Sequence, residues 1–472
     1  MLSFGTAYVI SEWMLRIAML VYVPQRRSPA SARAWLLLIF FLPWLGFALY
    51  ALIGRAYVPR RRLEMQARLA ELMASMPERF QWMAPTLPPV MPHLAEGARL
   101  ARNLGSFDVC GGNTVELLDD YQDSLERLRL DIESAQSTVH LLYYIFADDE
   151  TGRRMAETIV RAARRGVTCR LLLDSVGSRA ALRRIAPGLQ AAGVEVVPLL
   201  PLRILRPGRA RADLRNHRKI AVIDSTIGYV GSQNIVDAEA NRGLSNEELV
   251  ARVVGPVTHQ LQAVLLADRH EELDDRIDWL KLFPDCPASG ASAAQVLPSG
   301  PGHQEGNTQE VLVRLIYGAQ KRVVLTTPYF VPDATFLAAM RTVSARGVEV
   351  HLIVSRHSNK PVVQFAQQSY FEDLLVAGVK IHLYDDAFLH AKHTSIDDAV
   401  VAVGSSNLDI RSFALNSEVT LLVYDAAVVA QLRRIQDRYI AGSEEVTLDR
   451  WRERSPARRW LQNMCRLTDT LI

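Results

Sequence analysis

The chain has 472 residues, with 54 lysines and arginines against 51 aspartates and glutamates, and 49% of its residues are apolar. It is too apolar for disorder and long enough for two large domains plus an appendage, and its four cysteines (Cys110, Cys169, Cys286, Cys465) are too scattered for a disulfide framework or a zinc site. Residues 1–54 hold Arg16, Arg26, Arg27 and Arg33 against Glu12 alone, so the remainder is balanced at 50 against 50, which speaks against a protein that coats nucleic-acid phosphates.

The N-terminus reads as membrane. Ala34–Gly54 is 21 residues without a charge; as a helix rising ~1.5 Å per residue it covers the roughly 30 Å hydrocarbon core, with a kink at Pro43. Leu2–Val23 is as long but contains Glu12 and Arg16, which at i,i+4 can pair and offset their cost in lipid. It is a second span or a half-inserted hairpin arm. No basic n-region precedes it and no A-x-A site follows, so a cleaved signal peptide is disfavoured. Arg55, Arg60, Arg61, Arg62 and Arg68 outnumber the three arginines in the Pro24–Arg33 loop, so the positive-inside bias turns the C-terminal bulk to the cytoplasm. Residues 1–54 are thus a multi-pass anchor, and 55–106 a basic juxtamembrane segment and linker, richest in Pro and Met over Met76–Pro92.

Beyond the linker, strand-like and helix-like runs alternate twice. Thr138–Phe146, Val167–Asp174 and Val194–Leu200 read as strands, with an arginine-faced helix over Gly152–Arg165. Arg322–Phe330, Gly347–Ser355 and Gly378–Leu383 repeat the order 181 to 185 residues later. The chain therefore reads as α/β, with two fused repeats at 107–290 and 291–472, each with a mixed, mostly parallel sheet. Paired copies place equivalent loops across a shared cleft by pseudo-twofold symmetry.

Each copy carries H-x-K-x-x-x-x-D: His217, Lys219 and Asp224 in the first, His390, Lys392 and Asp397 in the second. On a strand, residues two apart share a face, so His and Lys point the same way. A Gly-Ser-x-Asn turn puts Asn234 and Asn407 each 17 residues after its histidine. This set suits phosphodiester exchange without a metal or other cofactor. A neutral imidazole attacks phosphorus and a second, protonated one supplies the leaving alcohol with its proton, while Lys219, Lys392, Asn234 and Asn407 hold the nonbridging oxygens. An imidazole in that role wants an acidic partner. Glu248 lies 31 residues after His217 and Glu418 lies 28 after His390, each in an apolar strand-like run where an unpartnered carboxylate is costly. No G-x-x-x-x-G-K-[ST] exists for nucleotide binding, and a lysine sits between each histidine and the next polar group, which disfavours a metal site. His393 faces away from His390 and Lys392 and reads as a structural histidine.

The duplicated motif resembles the phospholipase D superfamily, and the chain is more closely similar to bacterial cardiolipin synthases. The likeness is carried by the two N-terminal hydrophobic segments, RNHRKIAVID, Ser299–Pro301, TPYFVPD at 327–333 and FLHAKHTSIDDAVVAVGSSNLDIRSFALNSEVTLLVYD at 388–425. It departs at Gly231-Ser232, where Gly-Gly is common, at His393, and at a C-terminus reading RLTDTLI. The resemblance implies an enzyme of the bacterial inner membrane that makes cardiolipin and glycerol from two phosphatidylglycerol molecules through a phosphatidyl-histidine intermediate. It implies His217, Lys219, Asn234, His390, Lys392 and Asn407 as the site, His217 as nucleophile, and Asp224 and Asp397 as braces for the loops. Phosphatidylglycerol and anionic lipids are then the partners, not nucleic acid. Hydrolysis, as a phospholipase D or phosphodiesterase, is the alternative, since water and alcohol acceptors use the same residues. The first copy also carries an arginine-rich insert (Arg203, Arg206, Arg209, Arg211), absent from the second and expected to hold the cleft mouth on anionic headgroups.

Overall fold

The computed structural model describes residues 3–27, 29–54, 92–201, 213–240, 243–273, 282–304 and 306–467. The juxtamembrane arginines 55–68, most of the 55–106 segment, and Arg203, Arg206, Arg209 and Arg211 lie outside these residues.

Helix Phe4–Tyr22 begins where Ser3 Oγ accepts the Thr6 N–H, a side-chain cap. Among the described residues it is the one helix long and apolar enough to cross a membrane, with mean hydropathy 1.3. The expected i,i+4 pair forms at 3.5 Å between Arg16 and Glu12, and Arg16 also donates to Phe40 O at 3.2 Å, tying this helix to the next segment. The uninterrupted span expected over Ala34–Gly54 is not observed. It divides into helices Pro29–Phe41 and Pro43–Leu49 and a π-helical turn Tyr50–Gly54. Pro43 is more than a kink: it lacks an N–H and its ring displaces the preceding turn, so the helix restarts there. Gly46 then packs so close that a Cβ would meet the Ile39 backbone at 2.9 Å.

The rest is one continuous sheet built from two matching halves. From the centre outward the first half runs Cys110–Leu118, Val250–Val254, Ile227–Gly231, Lys219–Ile223, Thr138–Tyr143, Thr168–Asp174, Glu195–Leu199. The second runs Ser292–Ser299, Asn416–Tyr424, Val400–Gly404, His393–Ile396, Arg322–Thr327, Glu349–Ser355, Lys380–Tyr384, with Ser443–Val446 added at its edge. Cys110–Leu118 and Ser292–Ser299 pair antiparallel through Cys110↔Ala294 and Asn113↔Ser292 and so join the halves.

The sheet is mixed as expected, but the parallel majority is not found. Parallel pairing is confined to the outer three strands of each half, where helices make the crossovers. The strand that carries each motif returns through a tight turn, and a tight turn can only reverse direction. Asp224, Ser225 and Asp397 occupy these turns with φ of 49°, 57° and 50°, a region that aspartate tolerates better than most residues. Helix Val257–Leu273 is buried on nearly every side, since it packs on the first half's sheet and also reaches the second half, where Gln260 Oε1 accepts the Val296 N–H at 2.7 Å.

Candidate active site

The two motifs meet because the chain changes sheets just before each histidine. Arg215–Asn216 lies parallel to Asn416–Ser417 of the other half, and Phe388–Leu389 lies parallel to Asn246–Glu247. The next amide continues each pairing: His217 N–H donates to Ser417 O at 2.9 Å and His390 N–H to Glu247 O at 2.8 Å. The residue that follows in each partner strand is a glutamate.

The carboxylates are therefore exchanged between the halves. His217 Nδ1 is 3.0 Å from Glu418 Oε2, and His390 Nδ1 is 2.7 Å from Glu248 Oε1. Both glutamates are buried, whereas the imidazoles keep 13% and 15% of their side-chain surface. With Nδ1–H bonded to a carboxylate, Nε2 of each ring is left as the working nitrogen. Burial pushes each glutamate's pKa up, but the adjacent imidazole and lysine more than offset this and hold it below the usual carboxylate value. Ser405 Oγ donates to Glu418 Oε2 at 2.6 Å, and Ser232 stands in the corresponding place by Glu248.

Lys219 and Lys392 are buried to 2% exposure, and each Nζ donates to its own histidine's carbonyl at 2.6 Å. Burial pushes Lys219 down to about 7 and Lys392 to about 8, with the glutamates pulling both upward. Burial likewise pushes His217 down to about 4 against the pull of Glu418; His390 is lowered for the same reason. Asn234 Oδ1 accepts the Ile145 N–H at 3.1 Å, which leaves the amide NH2 for a ligand; the Asn407 amide is buried in the equivalent turn.

Lysines that titrate near neutrality make anion binding pH-dependent. The protonated form attracts phosphate, and that form is lost as pH rises through about 7 and 8. Affinity for a short soluble phosphodiester, followed by calorimetry, should therefore weaken above pH 8 by up to about tenfold per pH unit for each lysine. Constant affinity from pH 7 to 9 would show that these lysines stay charged.

Asp224 and Asp397 do not join the candidate catalytic set. Each sits at the far end of the motif strand, roughly 16 Å from its lysine at ~3.3 Å per residue. Asp224 accepts the N–H groups of Gln136, Ser137 and Thr138 at 2.7–2.8 Å, and Asp397 those of Gln320, Lys321 and Arg322 at 2.8–3.0 Å. They cap the start of the strand next door. Asp224→Ala or Asp397→Ala should cost about 2–4 kcal/mol of stability, since several amides lose their acceptor at once. The turnover of the molecules that remain folded should be close to normal, as judged from denaturant melts beside activity per folded protein.

His393 lies in strand His393–Ile396, where Gln436 Nε2 is 3.3 Å from its Nδ1 and Tyr439 stacks at 6.1 Å, the structural role expected of it. Three features escaped the sequence reading. Tyr144 stacks on His217 with centroids 4.8 Å apart and lies 5.2 Å below Lys219 Nζ. Arg218, between the motif residues, is buried and bonds Asp268, Glu418 O and Ser299 O, clamping the motif across the halves. Ser405 and Ser232 support the glutamates, although their Gly-Ser-x-Asn turns had signalled only the asparagines.

The family described as "Cardiolipin synthase, PLD-like domain" matches residues 128–268 and 312–440, and "Phospholipase_D-nuclease N-terminal" matches 14–55. Cardiolipin synthase A of Pectobacterium carotovorum subsp. carotovorum (strain PC1) is 34% identical, over 96% of this chain and 94% of that protein. The enzyme of the same name from Serratia proteamaculans (strain 568) is 35% identical with the same coverage. Among solved structures, phosphatidylserine synthase of Haemophilus influenzae Rd KW20 superimposes with a TM-score of 0.61 at 15% identity, over 79% of this chain and 99% of that one, a likeness of fold.

Proposed function

The chain belongs to the cardiolipin synthase family of phospholipase D-like proteins, and on that premise we propose that it joins two phosphatidylglycerol molecules into cardiolipin and free glycerol. One observation carries the chemistry: each imidazole is held at Nδ1 by a buried glutamate of the opposite half, so two Nε2 atoms serve one cleft.

In the first step His217 Nε2 attacks the donor phosphorus. The P–N bond forms, the P–O bond to glycerol breaks, and the glycerol oxygen takes its proton from His390 Nε2. The phosphatidyl group is now on His217, and His390 is neutral. In the second step the glycerol hydroxyl of another phosphatidylglycerol attacks phosphorus and gives its proton to His390. The P–N bond breaks, cardiolipin leaves, and both imidazoles regain their starting protonation. Lys219 and Lys392, with the amides of Asn234 and Asn407, neutralise the nonbridging oxygens as charge concentrates there. An arriving phosphate anion raises the pKa of lysine and His390 alike, so the substrate charges its own acid. His217 is the better nucleophile of the two, because deeper suppression of its pKa keeps it neutral.

The working units are taken as the repeats at 107–290 and 291–472. The anchor at 1–54 holds them at the cytoplasmic face of the inner membrane, the side toward which the arginines after Gly54 point by charge bias. The test is to incubate the purified chain with phosphatidylglycerol labelled in its terminal glycerol. Cardiolipin and free glycerol in equal amounts support the reading; phosphatidic acid and glycerol without cardiolipin would make the enzyme a hydrolase.

A further inference from the structure

Residues 448–467 form two short helices, Leu448–Arg452 and Pro456–Arg466, that lie beyond the 312–440 stretch matched by the family's catalytic domain. The segment has six arginines against Asp449 and Glu453. The second helix is docked by one face only. Gln462 is buried and bonds Gln368 Oε1 at 2.9 Å, while Arg454 accompanies it with bonds to Gln462 Oε1 at 2.8 Å and Glu372 at 2.7 Å. The opposite face is apolar and open. Trp460, Met464 and Leu467, spaced four and three residues apart, are 64%, 43% and 69% exposed, with Leu461 beside them at 39%.

Basic cavities flank this ridge. One of about 310 Å³ is lined by Arg356, Arg450, Arg454 and Arg458 against Glu444 and Glu445. Another of about 300 Å³ is lined by Arg341, Arg454, Arg459 and Arg466 against Glu372 and Asp373. Each carries two more cations than anions, and Arg454 is pushed below its usual pKa by burial, with repulsion from Arg459 and Arg458 adding to it. The positive charge is incompletely matched within the protein, so an anion is the complementary occupant. The helix also stands next to the cleft. It packs along Pro361–Ser369, whose first turn follows Lys360, and Lys360 Nζ lies 4.7 Å over the Tyr329 ring, within electrostatic range of Lys392.

We propose that Pro456–Arg466 is a second membrane-contact element: its Trp460–Met464–Leu467 ridge enters the acyl boundary of an anionic bilayer, lipid phosphates occupy the two arginine-lined cavities, and the cleft mouth is thereby seated on the leaflet. An amphipathic helix with arginines beside an aromatic-bearing apolar stripe binds such interfaces through buried apolar area plus attraction to anionic lipids. This contact is independent of the catalytic steps, so its test reads position and not product.

The full chain carrying Met464→Cys and Cys465→Ser is labelled at position 464 with an environment-sensitive fluorophore, the other three cysteines being buried. It is reconstituted into vesicles of phosphatidylcholine alone or with phosphatidylglycerol. In phosphatidylglycerol vesicles the emission should shift to the blue and be quenched by spin-labelled acyl chains, and in phosphatidylcholine alone it should stay accessible to aqueous iodide. Arg458→Gln with Arg459→Gln should weaken the lipid-bound state about fivefold per arginine, the fold-change that about 1 kcal/mol per basic residue gives near an anionic leaflet. The same spectra from a His217→Ala chain separate this contact from the proposed transfer reaction. Hydrogen exchange over 456–467 in the unlabelled chain, slower in phosphatidylglycerol than in phosphatidylcholine, guards against a misfolded variant. Equal iodide access in both lipids would overturn the proposal, as would a blue shift in detergent that grows with protein concentration, which would make the ridge a contact between copies of the chain.

Discussion

Alanine at either His217 or His390 is expected to reduce turnover by several orders of magnitude. Acid–base help alone is worth roughly 10²–10⁴, and in one of the two variants the nucleophile is lost as well. The losses should not multiply in the double variant, since both side chains act in one covalent cycle. The two variants should fail differently. His217→Ala should yield no covalent lipid adduct when quenched after exposure to labelled phosphatidylglycerol. His390→Ala keeps the neutral imidazole at 217 and should form the adduct slowly, because glycerol must leave without its proton donor. Mass spectrometry of the quenched protein reads both outcomes. More than a tenth of normal activity in either variant would end the shared-site reading, and an adduct mapped to His390 in the parent enzyme would reverse the roles.

Glu418→Gln and Glu248→Gln should each lower kcat by about 10³–10⁴, the scale seen where an imidazole loses the carboxylate that fixes its tautomer. The effects are expected to cross the repeats. Glu418 faces His217, so its amide variant should slow formation of the adduct; Glu248 faces His390, so its variant should slow proton delivery to the leaving glycerol. A leaving group of lower pKa needs less protonation, so a phosphatidyl ester of nitrophenol should rescue Glu248→Gln and leave Glu418→Gln impaired. A merely structural role for the carboxylates would move melting temperature and treat the two esters alike. The swap also explains why both halves are required: neither contains a complete His–Glu pair, so separated repeats should be inert.

Much of this site was legible in the chain. Duplication of H-x-K-x-x-x-x-D with an asparagine at constant distance exposed the residues and their likeness to each other, because a repeated pattern fixes spacing along strands whose alternation is set by backbone geometry. The glutamates were legible as buried charges in want of a partner. Which imidazole each would meet was not. The pairing arises from Arg215–Asn216 and Phe388–Leu389 crossing to the other half's strands, a two-residue detail whose hydrogen bonds are between backbone groups that every residue possesses. The same limit hid the antiparallel centre of the sheet, since apolar runs read as buried strands without declaring the direction of their neighbours.

At the N-terminus the apolar composition of Ala34–Gly54 suggested one span, yet the proline's missing N–H and ring volume divided it into two short helices. Composition, period and spacing are properties of a segment, and from them the sequence by itself determined the apolar N-terminal segments, the two α/β repeats, the paired motifs and the reaction class they suit. Strand order, the exchange of glutamates, the pKa depression of His217, Lys219 and Lys392, and the open face of the C-terminal helix were decided only by the tertiary structure. Each depends on what two distant segments bury together, and desolvation and contact across a cleft have no counterpart in the unfolded chain.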